Sequence, residues 1–235
     1  MPISFADELF LSRGQRSDWP RFARWHYRSH QIGLVRSIEV LWHGCPHDRD
    51  EVEPLFAEAS NEPKASNEPE ASNEAVAAAK GCDGQPRPIG IAVFVSAPMS
   101  LAGRNRFFGR RGRLGRLELR MLNRQLVLLQ RLVLHPTYRG AGLATPFLAR
   151  ACDRTAERTG IRWVETLTEL GQSHPVFERA GFTRVGRVHL DRSKRTRAGH
   201  SALFGGRPVS VETFTKSRHT APTYLVRRCG EVATQ

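Results

Sequence analysis

The stretch that decides the fold covers residues 125–144 and reads QLVLLQRLVLHPTYRGAGLA. Residues 125–134 are mostly aliphatic and end shortly before Pro136, and they form the strongest strand pattern in the chain. An apolar stripe at helical spacing then predicts a helix over residues 142–158, closed by Gly160, and residues 161–167 predict another strand. A strand, a crossover helix and a second strand of this length predict a βαβ unit with parallel strands, the first at the centre of the sheet.

Between this strand and its helix lies a glycine-containing turn, Arg139-Gly140-Ala141-Gly142-Leu143-Ala144. Glycines permit close backbone approach, and the first N–H groups of a helix lack internal partners, so the turn suits a diphosphate. A Walker A loop is excluded because no Gly-Lys-Ser/Thr follows. A Rossmann turn fits poorly, because Thr145 stands at the third glycine position and Glu165 falls inside a predicted strand.

Further elements extend outward on both sides of this unit. Towards the N-terminus, the pattern predicts a helix from Trp19 to about His30 and a strand over residues 35–42 that pairs as a hairpin with another over 89–95. Towards the C-terminus it predicts a short helix over 174–180, a strand over 182–188 and an edge strand over 209–214.

Residues 59–75 repeat the unit ASNEP and contain no large apolar side chain. Such a segment cannot offset the entropy of ordering, so we expect a disordered acidic insertion over residues 45–86. The folded domain then comprises residues 1–44 and a core over 87–214, with a C-terminal tail over 215–235.

Charge is distributed unevenly along the chain, whose formal net charge is +13. Eight arginines and one acidic residue lie between residues 104 and 124, in a glycine-containing stretch that predicts a long surface loop over 98–124, with a short helix over 114–122 as an alternative within it. Clustered arginines attract phosphates, so nucleic acid is one partner to consider, although charged loops are usually solvated surface.

Several classes of protein are excluded or disfavoured by composition. No apolar run approaches the roughly 20 residues that span a bilayer, and the N-terminus lacks the pattern of a signal peptide, so we expect no membrane partner and a cytoplasmic location. Four scattered cysteines form no C-x-x-C pair, and the His43-Gly-Cys45-Pro-His47 cluster matches no familiar spacing, so no metal site is predicted.

Two motifs together resemble the GNAT superfamily of acyl-CoA N-acyltransferases, whose acyl-CoA loop reads [QR]-x-x-G-x-[GA]. Arg139, Gly142 and Ala144 match its defined positions, and residues 175–182, PVFERAGF, resemble the late motif that ends in A-G-F. A narrower similarity, carried by residues 25–28 (WHYR) and by 134–140, is to the GNAT-type domain joined to ABC-class ATPases. Any such ATPase would be a separate partner.

The resemblance implies a layered α/β fold: a mixed, mostly antiparallel twisted sheet whose central parallel strands splay apart, with flanking helices. Acetyl-CoA would be the co-substrate, with its pantetheine arm on the backbone of Leu132, Val133 and Leu134 and its diphosphate on the amides of Arg139, Gly140, Ala141, Gly142, Leu143 and Ala144. An amine acceptor would attack directly, so an N-acetyltransferase is expected.

Several residues are candidates for moving protons, because Phe177 stands where many superfamily members have a tyrosine. The candidates are Glu165, His174 and Tyr27, with Glu169 and His26 as further choices. Two other functions stay open on the same fold: a protein that binds or modifies nucleic acid through the arginines, and a catalytically silent acyl-CoA sensor.

Overall fold

The computed structural model describes residues 5–26, 32–56, 85–98, 101–110, 115–188 and 222–230. Eight strands in these ranges form one sheet in the order β3-β1-β2-β4-β5-β6-β8-β7. They are β1 (Leu9–Arg13), β2 (Val35–His43), β3 (Glu53–Pro54), β4 (Arg87–Ser96), β5 (Leu126–Leu134), β6 (Trp163–Thr168), β7 (Thr183–Arg187) and β8 (Thr223–Arg228). The helices are α1 (Trp19–Ala23), α2 (Ala102–Phe107), α3 (Arg116–Gln125), α4 (Ala144–Thr159) and α5 (Val176–Arg179).

The predicted βαβ unit is confirmed as β5, α4 and β6. β5 and β6 are parallel, and every other neighbouring pair in the sheet is antiparallel. α4 ends where predicted, because Gly160 adopts a left-handed conformation (φ 68°) that closes the helix and frees the chain to enter β6. The mixed, mostly antiparallel α/β sheet expected from the sequence is therefore the observed fold.

The hairpin of β2 and β4 is also confirmed, but the segment between them is more ordered at its start than predicted. Cys45 and Leu55 are buried, and β3 pairs with β1. Neither of these two strands was predicted from the sequence. The predicted disordered insertion over 45–86 therefore starts at least 12 residues too early. Its repeat, residues 59–75, lies outside the described residues.

The C-terminal prediction is wrong at one place. Residues 223–228, assigned to a tail, form β8, which is inserted between β6 and β7 with Tyr224 and Leu225 fully buried. The run is short and ends in two arginines, so its burial on both faces depends on long-range pairing that local pattern does not reveal. The strand predicted over 209–214 lies outside the described residues.

The arginine-rich segment contains two helices: α3 corresponds to the short helix considered over 114–122, whereas α2 was not predicted from the sequence. α2 buries Gly103 and Arg104, whereas α3 has no buried residue. Arginine is buried at position 104 because its guanidinium group has carboxylate and carbonyl partners, described below. α1 is shorter than predicted, and residues 27–31 lie outside the described part of the chain.

The core has two faces, one on each side of the sheet. α4 packs on one face through Phe147, Leu148 and Ala151, and α1 packs on the opposite face through Trp19 and Phe22. Among the described helices, none combines the length and apolar character needed to cross a bilayer.

Candidate active site

The parallel strands β5 and β6 pair over three residues only. Leu126–Leu128 pair with Trp163–Glu165, and the Thr166 hydroxyl donates one further hydrogen bond to the Leu129 carbonyl at 3.1 Å. Beyond this point the strands part around a cavity of about 490 Å³. It is lined by Trp25, His26, Leu129, Gln130, Arg131, Leu132, Val133, Leu134, Arg139, Thr166, Leu167, Thr168, Glu169, Leu170, Ser173 and Phe177.

The edge of β5 that faces this cavity offers main-chain groups to a ligand. The pairing of β5 with β6 ends at Leu128, whereas the other edge of β5 pairs with β4 as far as Leu134. The segment Leu132, Val133 and Leu134, predicted to contact the acyl donor, lines the cavity. An open strand edge of this kind can hydrogen-bond an extended amide-containing chain.

The glycine turn lies at the end of β5, directly before α4. Gly140 and Gly142 both have positive φ, at 86° and 78°, and a Cβ added at either would meet no atom within 4 Å. Leu143 occupies the N-cap position without a side-chain cap, so the first amides of α4 lack helical partners. The turn is therefore open, and its N–H groups and the positive end of the helix can receive an anion.

Arg139 braces this turn against the rest of the site. Its Nε donates to the Leu134 carbonyl at 3.1 Å, and its Nη2 donates to the Trp25 carbonyl at 3.4 Å. The side chain thus ties the turn to the end of β5 and to the segment that follows α1. Arg139 stands at the Arg/Gln position of the loop motif quoted above, and both of its hydrogen bonds are to backbone carbonyls.

Glu165, a predicted base, does not line the cavity. Its carboxylate is fully buried, where it accepts two hydrogen bonds from Arg104 and one from the Tyr224 hydroxyl. Residues alternate between faces along β6, so Glu165 lies on the face covered by α2, while Val164 points into the core beneath α4. Burial raises the pKa of the Tyr224 hydroxyl, and the Glu165 carboxylate raises it further.

The other predicted proton-transfer residues are placed differently from one another. His174 is exposed and does not line the cavity, and Tyr27 lies outside the described residues. Glu169 and His26, the further choices, both line it. Phe177 also lines the cavity and packs edge-on against Phe182, so it contributes an apolar wall where a hydroxyl was expected.

A hydrogen-bonded chain behind the turn was not found from the sequence. The Tyr138 hydroxyl lies 2.6 Å from Nδ1 of His43, whose Nε2 lies 2.7 Å from the Glu8 carboxylate. Tyr138 directly precedes Arg139, so this chain links the turn to β2. Tyr138 lies in the stretch 134–140 quoted above, but Glu8 and His43 are 35 residues apart and carry no shared signal.

Comparison with known protein families gives one match. The family model described as Acetyltransferase (GNAT) family matches residues 62–182, just over half of the chain. No match was found among curated proteins.

Similar solved structures include a spermidine N-acetyltransferase SpeG chimera from Vibrio cholerae and hSSAT. It is 11% identical, with 94% of this chain and 96% of that chain covered and a TM-score of 0.46. Another is AAC(6')-Ib in complex with paromomycin and acetyl-CoA, 12% identical, with 94% of each chain covered and a TM-score of 0.43. The family match spans β4 to α5, including the parted strands and the glycine turn, and on that match this chain belongs to the acetyltransferase (GNAT) family.

Proposed function

We propose that this protein transfers the acetyl group of acetyl-CoA to the amine of an acceptor by direct attack. The observation that carries the proposal is the parting of β5 and β6 beyond Leu128, which opens a cavity beside the glycine turn. The residues present fit the donor: an open strand edge suits the amides of pantetheine, and uncapped helix amides suit a diphosphate.

Each part of the donor has a counterpart in the chain. Leu132, Val133 and Leu134 would bind the pantetheine arm through their backbone, and the amides of residues 139–144 would bind the diphosphate. Acetyl-CoA supplies a thioester, whose carbonyl carbon accepts the amine as the carbon–sulfur bond breaks. A β5 N–H directed at the carbonyl oxygen would stabilise the negative charge that develops there.

An acceptor amine must lose a proton before it attacks, and the departing thiolate takes one up. Glu169 and His26 line the cavity and are therefore the proposed proton acceptors, in preference to Glu165 and His174. Glu165 is held by Arg104 and Tyr224, so it is proposed to hold α2 and β8 onto β6. Tyr27 stays a prediction from sequence.

The acceptor is proposed to be an amine-bearing molecule. Contact with nucleic acid and a separate ABC-class ATPase partner, both predicted from sequence, have no supporting observation among the described residues. Arg104 is one of the arginines on which the prediction of nucleic-acid contact rests. It is buried in an ion pair, which weakens that prediction further. The cytoplasmic location stays a prediction.

Calorimetry with acetyl-CoA, followed by mass spectrometry of a panel of amines incubated with protein and donor, tests the proposal. We expect saturable donor binding and a mass increase of one acetyl group on at least one amine. Absence of donor binding by folded protein would overturn the proposed function. Binding without transfer to any amine would favour the acyl-CoA sensor instead.

A further inference from the structure

A second cavity, of about 580 Å³, lies beside α1 and is not part of the proposed donor site. Its lining includes Arg21, Arg24, Trp25, Arg87, His135 and Tyr138. Three arginines contribute to this lining, and no carboxylate of the described residues does. The cavity is therefore strongly basic.

None of these three guanidinium groups is neutralised by a carboxylate in the part of the chain that the structure describes. Arg21, Arg24 and Arg87 form no ion pair with any carboxylate among the described residues. Some arginines elsewhere are paired with acids, as in Arg49 with Asp18 and Arg154 with Glu39. The three exposed guanidinium groups around one concavity give it a positive potential, so the cavity is suited to an anion.

One wall of the cavity is also preorganised. The Arg24 guanidinium lies 4.5 Å from the centroid of the Trp25 ring, and the Trp25 and His135 rings pack edge-on with centroids 4.4 Å apart. The Tyr138 hydroxyl is held by His43. Stacking fixes the position of Arg24, so less side-chain entropy is lost when it binds a ligand.

The place of the cavity separates it from the diphosphate site. α4, whose first amides form that site, packs on one face of the sheet, whereas α1 packs on the other. Trp25 lines both this cavity and the cavity between β5 and β6. A ligand in the basic cavity therefore lies next to the cavity between β5 and β6, on the α1 side of the turn that begins directly after Tyr138.

We infer that the basic cavity binds the anionic group, a phosphate or a carboxylate, of the acceptor, which is accordingly an amine that also carries negative charge. The inference rests on the proposed function, because it assigns the acceptor of that reaction. Arg24, directly after α1, and Arg87, at the start of β4, bind the anion, and Trp25, which lines both cavities, lies between the anion and the amine end. Arg21 adds charge at the rim.

The first test uses inorganic phosphate as the probe. Protein saturated with CoA, so that the turn is filled, is titrated with phosphate by calorimetry. Binding that weakens about tenfold in Arg24→Gln and in Arg87→Gln, but not in Arg120→Gln, supports the inference. Arg120 is an exposed arginine of α3 outside the cavity, so it controls for loss of charge alone. No phosphate binding, or equal loss in all three variants, overturns it.

The second test compares O-phosphoethanolamine with ethanolamine as acceptors, since they differ only in the phosphate. A preference for the phosphorylated amine in kcat/KM that is lost in Arg24→Gln and Arg87→Gln, with acetyl-CoA affinity unchanged, supports the inference. No preference, or a preference that survives in both variants, overturns it. If acetyl-CoA itself fails to bind, the proposed function fails, and phosphate titration of the donor-free protein still tests the cavity.

A third measurement identifies the source of the anion. The affinity ratio of CoA to dephospho-CoA, which lacks the 3′-phosphate, is measured in the native protein and in Arg24→Gln. An unchanged ratio supports an anion from the acceptor. A ratio that falls towards one in the variant would show that the donor's 3′-phosphate fills the cavity, and it would overturn the assignment to the acceptor.

Discussion

Arg104 donates two parallel hydrogen bonds to Glu165, from Nε to Oε2 at 3.0 Å and from Nη2 to Oε1 at 2.7 Å. Both side chains are almost completely buried, and the remaining guanidinium nitrogen donates to the Pro98 carbonyl. The Tyr224 hydroxyl donates to the same carboxylate. The pair therefore joins α2, β6 and β8, three elements that are distant in sequence.

Removal of one partner should be costly, because it leaves the other charge buried without a counter-ion. We expect Glu165→Ala to lower the free energy of unfolding by about 3–5 kcal/mol, measured by urea denaturation. Glu157→Ala is the matched control, since its exposed pair with Arg150 should contribute under about 1 kcal/mol. A Glu165→Ala variant as stable as the control would contradict the structural role of the pair.

Close packing of α2 on β8 gives a prediction for Gly103. A Cβ built at this residue would lie 2.6 Å from Cγ of Tyr224, whose ring is fully buried and whose hydroxyl is fixed by Glu165. Gly103→Ala should therefore destabilise the protein by about 1–3 kcal/mol, seen as a lower Tm. At Gly115 the added Cβ meets only the end of the Glu118 side chain, at 3.8 Å. Gly115→Ala should leave Tm nearly unchanged, and equal shifts in both variants would refute the packing argument.

Local sequence patterns were sufficient to predict the centre of the fold, but they did not predict β8 near the C-terminus. β5, α4 and Gly160 carry their own signals, because a buried strand, an amphipathic helix and a left-handed cap each depend on neighbouring residues. β8 and the burial of Arg104 depend on partners more than 50 residues away. The glycine turn could be identified because its motif consists of neighbouring residues. The face of the sheet on which the Glu165 side chain lies depends on the register of β6, which the sequence alone does not fix.

Two buried cysteines, Cys152 within α4 and Cys229 directly after β8, should be chemically inert in the folded protein. Burial raises the pKa of the Cys152 thiol well above its usual range and that of Cys229 to about 11, so both thiols stay protonated at pH 8. The thiolate is the reactive form, and alkylation should therefore follow transient unfolding. Iodoacetamide labelling read by mass spectrometry should leave both residues unmodified in buffer and modify both in urea. Rapid labelling of either in buffer would contradict their burial.

The sign of the pH effect follows from these raised pKa values. Each thiol has a higher pKa in the folded state than in the unfolded chain, so its contribution to stability is intact below the unfolded value, near 8.5. Stability is then lost as pH rises towards the folded value, about 11 for Cys229. Cys229→Ser, which does not ionise, should flatten part of the decline in Tm between pH 9 and 11.

Glu169 should act in proton transfer if the cavity between β5 and β6 is the reaction site. Glu169→Gln keeps the size of the side chain and removes its basicity, so kcat should fall by about 10²–10⁴-fold with donor affinity nearly unchanged. The acidic limb of the pH–rate profile should also disappear. His26→Gln is compared in the same assay, and the variant that loses the limb is the base. A profile unchanged in both variants would exclude both residues.

Two substitutions at Gly142 distinguish the effect of charge from the effect of backbone conformation in the glycine turn. Gly142 has φ 78° with open space around its absent side chain, so asparagine and aspartate at this position would suffer similar backbone strain and no clash. They differ in charge, and a carboxylate beside uncapped helix amides would compete with the donor's diphosphate for the same N–H groups. Acetyl-CoA should therefore bind Gly142→Asp at least about tenfold more weakly than Gly142→Asn, with the gap narrowing as salt rises. Calorimetry at two salt concentrations measures both effects. Equal affinities in the two variants would mean that the diphosphate does not bind at this turn.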